Sequence, residues 1–510
     1  MKTGIGVFGA LLIAAAMATT DAGDVNAAPH VVLIVVDDLG WMDLGCQRND
    51  RPLGQNNAAS ENGTVWIAAG TQSHFTPEDS AKSGQSPAAL FCRLNTPRID
   101  ALAKQGVRFT NAYAASPVCS PSRAALITGL APARLHITQH GKDGPQFWPA
   151  NRSIQPPAAR HVLPLETVTL AERLKQVGYA TGFFGKWHLS GERDAKDPTA
   201  GGPEFWPQHQ GFDINIGGCG LGGPPTYFDP YGIPAIEPRQ KGEYLSDRLA
   251  DETVSFMRAS LGSPMFICLW TYNVHYPFEA PAELIARYKG KEGPGLKNAV
   301  YAAQVEATDR AIGKVLDEID RLGIADNTLV LFTSDNGGWE GATDNRPLRS
   351  GKGDLYEGGL RVPLIVRWPT SLDKLAIAGT TNDTAVTSAD LPATILDAAA
   401  VELGQSDSLD GTSLRPLLAG KKLDRDCLYF HYPHFAWHQS NRPGGAVRCG
   451  PYKLIRRYDD NSLELFDLSS DIGETRNLAA ELPEVAARLD ERLTRWLKET
   501  GAQMPAPVGK

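Results

Sequence analysis

The sequence lacks the features that mark several large protein classes. It has no surplus of basic residues: 50 lysines and arginines stand against 58 aspartates and glutamates, for a formal net charge of −8. A general nucleic-acid binder needs a net basic face, so no nucleic-acid partner is expected. An anionic ligand would have to be drawn in locally, because the overall field repels it and salt screens that field over about 8–10 Å. Beyond the N-terminal segment no stretch approaches the roughly 18 uninterrupted apolar residues of a bilayer span. No stable membrane insertion of the mature chain is therefore expected. There is no internal repeat, which excludes solenoids and propellers, and no long low-complexity segment. Cysteine is scarce, with 7 in 510 residues: Cys46, Cys92, Cys119, Cys219, Cys268, Cys427 and Cys449. An odd count in an exported chain points to a free, reactive thiol. If Cys119 is consumed by chemistry, six are left that could pair in an oxidising compartment. Cys46 and Cys92 bracket a polar stretch and could tie it off as a loop, whereas Cys268, inside an apolar run, reads equally well as a buried free thiol.

What is present is ordinary globular composition, 42% hydrophobic and 21% charged, with length for a large domain and a smaller one. Lys2 followed by IGVFGALLIAAAMA has the form of a secretory signal. Residues 1–28 are read as a signal peptide cut between Ala18 and Ala28, which would place the mature protein in the periplasm or outside the cell. An uncut anchoring helix is the alternative, though the apolar run is short for a span.

HVVLIVV at 30–36 is the pattern of a strand buried on both faces of a parallel sheet. Similar runs recur at Met265, Leu329 and Pro363, with helical patterns between them at Leu170 and Ala302. Strands alternating with helices imply an α/β fold, a large doubly wound, mostly parallel sheet flanked by helices. Residues 47–91 read as a polar surface insertion. From about 405 the pattern changes to short antiparallel strands (CLYFHYPHF, GAVRCGPYKLIRRY, SLELFDL) and an amphipathic helix, EVAARLDERLTRWLKE. The expected organisation is a catalytic α/β domain over 29–404 and a smaller α+β domain over 405–510.

Two acidic pairs follow apolar strands: Asp37-Asp38 and Asp335-Asn336. Ligands of open α/β sheets bind beyond the carboxyl ends of the strands. Four oxygen donors gathered there would suit a hard cation, calcium or magnesium rather than zinc. Either pair alone is also an ordinary strand-ending turn. Cys119 lies in SPVCSPSRAALITGL, where Ser120 can cap a helix and Pro121 suits its first turn. A helix N-terminus beside residue 119 favours an anionic transition state and lowers a thiol pKa, so a cysteine nucleophile is conceivable. A small buried cysteine before a helix is the plainer alternative.

Cys119-Ser120-Pro121-Ser122-Arg123, continued to Gly129, resembles the C-x-P-S-R block of the type I sulfatases, of the alkaline phosphatase superfamily. VVDDLGW at 35–41, TPRIDALAKQGVRFTNAYA from Thr96, GYATGFFGKWHL from Gly178, TSDNGG from Thr333 and GKGDLYEGGLRVP from Gly351 resemble further family blocks in the family's order. The likeness covers nearly the whole mature chain, in the manner of bacterial exported polysaccharide sulfatases. It implies hydrolysis of a sulfate ester of a carbohydrate by a formylglycine made from Cys119 by a maturation enzyme, with bound calcium. The family's metal ligands fall on Asp37, Asp38, Asp335, Asn336 and residue 119. Arg123 falls on the arginine that stabilises the formylglycine, Lys186 and His188 on the K-x-H pair, His275 on the histidine near the leaving group, and Lys352 on a sulfate-binding lysine.

The chemistry of these residue types agrees with the implied roles. A formylglycine hydrate offers one hydroxyl to attack sulfur and a second that lets the aldehyde re-form. Lysines and arginine neutralise sulfonate oxygens, a histidine can protonate a poor leaving alcohol, and a second histidine can act as base. An extended backbone would aim Lys186 and His188, two apart, to one side. Two features depart from the family: the loop CGLGGPP offers no counterpart of a serine that some members place near sulfate, and Phe184 is bulkier than usual, which should affect packing more than chemistry. His431, His434 and Arg442, polar groups among aromatics, suit a sugar and its anionic groups, or an ordinary strand and turn. A phosphonate or phosphate ester hydrolase of the same superfamily and an inactive sulfated-glycan binder are the competing readings.

Overall fold

The computed structural model describes residues 28–47, 94–141, 144–191, 201–293, 295–375, 378–404, 407–438 and 441–508. The signal peptide apart from Ala28, the insertion apart from Gln47, and Cys92 with any pairing to Cys46 lie outside the described residues.

Eight strands form the main sheet: β1 (His30–Val36), β2 (Val107–Phe109), β3 (Ala180–Gly185), β4 (Ile214–Ile216), β5 (Met265–Thr271), β6 (Thr328–Ser334), β7 (Leu364–Arg367) and β8 (Thr380–Asn382). Their order is β8-β2-β7-β6-β1-β5-β3-β4. The sheet is parallel apart from β7, which runs antiparallel to both β2 and β6. The all-apolar run of β1 is explained by its position. Val32, Ile34 and Val36 enter one core, and Val31, Leu33 and Val35 enter another on the opposite face. The helices that cover the two faces include α1 (Pro97–Gln105), α2 (Cys119–Thr128), α3 (Leu170–Gln176), α4 (Leu245–Ala259) and α5 (Ala299–Arg321). Side chains of α1, α4 and α5 fill the first core, and those of α2 and α3 the second. This is the doubly wound α/β arrangement expected. Phe184 is fully buried in the first core, its ring 5.7 Å from that of Phe256, so its bulk is taken up by packing.

The C-terminal part is a four-stranded antiparallel sheet, β9 (Cys427–Tyr432), β10 (Gly444–Cys449), β11 (Tyr452–Arg457) and β12 (Leu463–Asp467), joined in sequence order. Helix α6 (Pro483–Glu499) places Ala486, Leu489, Leu493 and Leu497 on one face. The other face, with Leu428, Phe430, Ala446 and Ile455, packs on Tyr113, Leu355, Tyr356 and Leu360. The small sheet therefore backs the segment that follows Lys352. Lys453 fixes that contact: its ammonium lies 2.9 Å from both Glu357 and Glu474, all three side chains being fully buried. Cys427 and Cys449, directly opposite across β9 and β10, form a disulfide. Cys119, Cys219 and Cys268 are free and buried.

Candidate active site

Register explains why two distant acidic pairs meet. Val36 and Ser334 are paired across β1 and β6, so the residues that follow each strand leave the sheet side by side. The Ser334 hydroxyl, with one proton to share, lies 2.9 Å from both Val36 O and Asn336 O, and it accepts from Leu39 N. Those bonds tie the two strand ends together. Asp38 N donates to Asp335 Oδ1 (3.2 Å), and Asn336 Nδ2 donates to Asp38 Oδ1 (2.8 Å).

The neighbouring strands deliver the next groups. Gly185, the last residue of β3, pairs with Trp270 of β5, and Lys186 N continues that ladder to Trp270 O at 2.7 Å. Gly185 has φ +116, and a Cβ there would stand 1.8 Å from Trp270 O. Only glycine allows the approach that sends Lys186 into the site. Beyond β5, Asn273 O accepts from Asp37 N and Val274 N donates to Asp37 O, which carries His275 to the same end.

Residue 119 opens α2 itself. Val118 is the extended capping residue, whereas Ser120 lies inside the helix and its hydroxyl donates to His188 O at 2.8 Å. Ser120 is thus not the cap that the sequence suggested. The turn before the helix is held by Ser122, which accepts from Ser116 N and donates to Ser116 O. His188 also departs from expectation: its φ is +58, so Lys186 and His188 are not two positions of one extended strand. The Lys352 turn is clamped from both sides. Gly353 N donates to Pro117 O at 2.8 Å, Asn441 Nδ2 donates to Gly353 O, and the His438 ring meets Lys352 O at 3.1 Å.

These elements converge on three buried ion pairs. Lys186 Nζ lies 2.6 Å from Asp37 Oδ2, Arg123 Nε 2.8 Å from Asp335 Oδ2, and Lys352 Nζ 2.7 Å from Asp38 Oδ1. Ligand atoms of Asp37, Cys119 and Asp335 lie within 4.8 Å of one another, as do those of Asp38, Cys119 and His275. Ten of the thirteen candidate side chains are therefore gathered here: Asp37, Asp38, Cys119, Arg123, Lys186, His188, His275, Asp335, Asn336 and Lys352.

The electrostatics follow from crowding in a dry site. Burial, then Asp335, pushes Asp37 well above the usual carboxylate range against the pull of Lys186. Burial would raise Asp38 too, but Lys352, His275 and Lys186 hold it below that range. Asp335 is likewise lowered, because Arg123 and Lys186 outweigh its burial. Burial pushes the Cys119 thiol up despite Lys186 and Lys352. Burial thus works against the thiolate, the form that a cysteine nucleophile needs. Burial and the neighbouring cations hold His188 well below its ordinary value and press His275 down to about 3. Asp37 Oδ1, which faces Arg123 Nη2 at 3.6 Å, and Asn336 Oδ1 are buried with no hydrogen-bond partner among the described residues. Buried oxygens in that state are what a hard cation satisfies.

The other three candidates are placed differently. His431 uses both ring nitrogens inside the fold, on Tyr458 OH (2.8 Å) and Gln503 O (3.0 Å). His434 Nε2 is engaged by Thr138 Oγ1, and Arg442 is held by Asp459 and Asp460. Their segment does reach the site, but through Trp437, His438 and Asn441. The sequence reading also missed His140, whose ring lies 5.2 Å from that of Trp437. None of these four belongs to a recognisable block. The CGLGGPP loop acquires a role as well. A Cβ on Gly222 would stand 2.8 Å from His188 Nε2, and one on Gly223 2.8 Å from His275 Nδ1. The glycines let this loop lie directly on both histidines.

Comparison with known proteins agrees with this geometry. Residues 29–401 match the sulfatase family model, and residues 351–499 match that of the N-sulphoglucosamine sulphohydrolase C-terminal region. The chain is 30% identical to human arylsulfatase A, over 94% of this chain and 89% of that protein. It is 29% identical to a sulfatase of Formosa agariphila, over 97% and 93%. Among solved structures it resembles Ps i-CgsB in complex with k-i-k-neocarrahexaose, with TM-score 0.68 and 26% identity, covering 92% and 93% of the two chains. It shares its fold with a phosphonate monoester hydrolase of Agrobacterium radiobacter, with TM-score 0.62 and 18% identity over 94% of this chain and all of that one. The chain belongs to the sulfatase family of the alkaline phosphatase superfamily, the enzymes that hydrolyse sulfate esters.

Proposed function

We propose that this enzyme releases sulfate from a sulfated carbohydrate, using a formylglycine made from Cys119 and a divalent cation, calcium in preference to magnesium. The observation that carries the reading is the placement of residue 119. It stands at the N-terminus of α2, within 4.8 Å of carboxylate oxygens of both Asp37 and Asp335. Asp37, Asp38, Asp335, Asn336 and residue 119 would hold the cation. Its chemistry there is to polarise the sulfate and to acidify the hydroxyl of residue 119. The oxygens of Asp37 and Asn336 that lack a hydrogen bond among the described residues fit that role. So does the raised pKa of Asp37, the carboxylate a cation would relieve.

The chain's own groups account for the remaining requirements. As the hydrate of an aldehyde, residue 119 presents one hydroxyl to sulfur and keeps a second for collapse back to the aldehyde. Arg123, fully buried between Asp335 and Asp37, would set positive charge against the acidic cluster beside residue 119. Lys186 and Lys352 supply positive charge to the sulfonate oxygens as the S–O bond breaks. The Nδ1 edge of His275 donates to Tyr276 O at 2.7 Å and its Nε2 faces Asp38 at 3.8 Å, so the ring would protonate the leaving alcohol from Nε2 only as an imidazolium, the form that burial and the two lysines oppose and that Asp38 favours. His188, whose Nδ1 is buried without a partner, is the base assigned to the return step.

A carbohydrate substrate is supported by a neighbour of 26% identity, which was solved in complex with k-i-k-neocarrahexaose. Export is supported by the N-terminal signal pattern and by the Cys427–Cys449 disulfide, a bond that persists in oxidising compartments. No helix among the described residues is long and apolar enough to cross a membrane. The test is turnover of 4-nitrophenyl sulfate, 4-nitrophenyl phosphate and a phenyl phosphonate monoester by one preparation. The reading expects the sulfate to be hydrolysed with the highest kcat/KM. Faster phosphate or phosphonate turnover would replace it with the phosphohydrolase reading.

A further inference from the structure

Beside the ion-pair cluster lies a wall that the reaction itself does not use, formed by His140 and Trp437. Trp437 is half-buried; its ring lies 5.9 Å from Lys352 Nζ on one side and 5.2 Å from the His140 ring, edge-on at 83°, on the other. The Trp437 ring therefore links the Lys352 ammonium to the His140 ring. The charges of Lys352, Lys186 and Asp38 all act on the His140 ring, which places it at the same cluster.

The hydrogen bonds of His140 fix which of its nitrogens carries a proton. Gln139 Oε1 accepts from the backbone N–H of His140 at 3.0 Å. A backbone N–H can only donate, so the atom facing it must be the amide oxygen. The same oxygen lies 3.0 Å from His140 Nδ1, which must therefore also donate. Tyr432 OH gives the oxygen a further donor at 3.2 Å and anchors it to the small sheet. A neutral imidazole protonated at Nδ1 has its lone pair at Nε2. Nε2 has no hydrogen-bond partner among the described residues. Burial, then Lys352 and Lys186, holds the ring pKa down to about 3, so the ring stays neutral over the working range of an enzyme.

We propose that His140 is a specificity-determining residue whose Nε2 accepts a hydrogen bond from a free hydroxyl of the sulfated sugar, with the Trp437 indole lining the same subsite. The inference rests on the sulfatase reading above. A sugar presents hydroxyl donors along its edge and an apolar C–H face, and a fixed acceptor beside an indole matches both. A lysine or arginine at this place would select an anionic group. A neutral acceptor selects a hydroxyl and rejects its ether or sulfate.

The test uses the mature enzyme, 4-nitrophenyl sulfate, and one oligosaccharide that it desulfates from a panel of carrageenan and glycosaminoglycan fragments. The methyl ethers of that oligosaccharide are prepared one hydroxyl at a time. One ether is expected to lower wild-type kcat/KM by about tenfold or more, the scale of a lost hydrogen bond that leaves a polar group unpaired. His140→Phe keeps the ring and its contact with Trp437 but removes the acceptor. It should lower kcat/KM on the parent sugar by a similar factor, and the variant should no longer distinguish parent from ether. The loss on 4-nitrophenyl sulfate, which offers no hydroxyl, should be at least tenfold smaller. Gln139→Leu leaves His140 in place and frees its tautomer, so it should blunt the same discrimination. If His140→Phe still distinguishes the ether as wild type does, or loses aryl sulfate and sugar turnover equally, the inference is overturned alone. If wild type releases sulfate from neither substrate, the sulfatase reading falls and this inference with it.

Discussion

Lys352 holds Asp38 by both carboxylate oxygens, Nζ to Oδ1 at 2.7 Å and to Oδ2 at 2.8 Å, joining residues 314 positions apart inside the site. Both side chains are almost sealed from solvent, at 5% and 6% exposure. The pair thus has two duties, to compensate a buried carboxylate and to keep a cation where a sulfonate would sit. Lys352→Ala should lower kcat on an aryl sulfate by about 10²–10³, the cost of losing one preorganised charge partner. It should also lower stability by about 1–3 kcal/mol, because Asp38 loses its direct ion-pair partner and keeps only the Asn336 hydrogen bond and the more distant charges of Lys186 and His275. Steady-state kinetics and denaturant unfolding check the two effects separately. An active, equally stable variant would show that the pair is incidental.

Calcium should raise the melting temperature and a chelator should lower it. A ligand that binds only the folded state stabilises it by about 2.7 kcal/mol at a hundredfold excess over its Kd. Asp37→Asn and Asp335→Asn, which remove charge from the oxygen cluster, should each weaken the calcium response in a thermal scan. Equal responses in wild type and both variants would place the cation elsewhere.

Gly222 and Gly223 make the steric prediction. An added methyl group would press on the His188 ring at 2.8 Å in one case and on His275 Nδ1 and Tyr276 O at 2.8 Å in the other. Gly223→Ala should cut kcat at least tenfold while leaving thermal unfolding close to wild type, because the loop is not part of the sheet core. Gly185→Ala is the contrast. Its Cβ would stand 1.8 Å from a β5 carbonyl, so it should lower the melting temperature as well as the activity. If both variants behave alike, the loop is a structural element and not a fitted cover for the histidines.

Asp309 makes the pH prediction, away from the site. Its carboxylate accepts from the backbone N–H groups of Arg98 and Ile99 at the start of α1. Burial nevertheless pushes its pKa up to about 7. The folded state thus binds this proton more tightly than the unfolded chain, whose Asp pKa is about 3.9. The associated stability is complete below about pH 4 and is lost as pH rises toward 7. Asp309→Asn keeps an oxygen for the two N–H groups and removes the ionisation. Relative to wild type, it should be more stable at pH 8 and show a flatter stability profile between pH 5 and 7. Parallel profiles in chemical unfolding would contradict this.

Much of the scaffold could be read because the physics was local. The run at 30–36 is apolar at every position because β1 feeds a core on each face, and its abrupt end at Asp37 marks where the sheet stops. The antiparallel β7 was not distinguishable, since PLIVRW has the same pattern as a parallel strand and direction is set by connections. At the site, the blocks around Cys119, Lys186, Asp335 and Lys352 were visible as residue types in sequence order. Their common location depended on the Val36–Ser334 register, which no local pattern encodes. His431, His434 and Arg442 stood in the right segment, but hydrogen bonds with Tyr458, Thr138 and Asp459 occupy them. His140 escaped notice because its meaning lies in one amide oxygen, that of Gln139, and in a tryptophan about three hundred positions away.

The central claim is that residue 119 acts as an aldehyde and not as a thiol. Mass spectrometry of the peptide carrying residue 119, from enzyme with measured sulfatase activity, tests it most directly. The account predicts the mass of formylglycine or its hydrate, in a proportion that rises with specific activity across preparations, and no activity in Cys119→Ala. Full activity in a preparation whose residue 119 is entirely unmodified cysteine would contradict it.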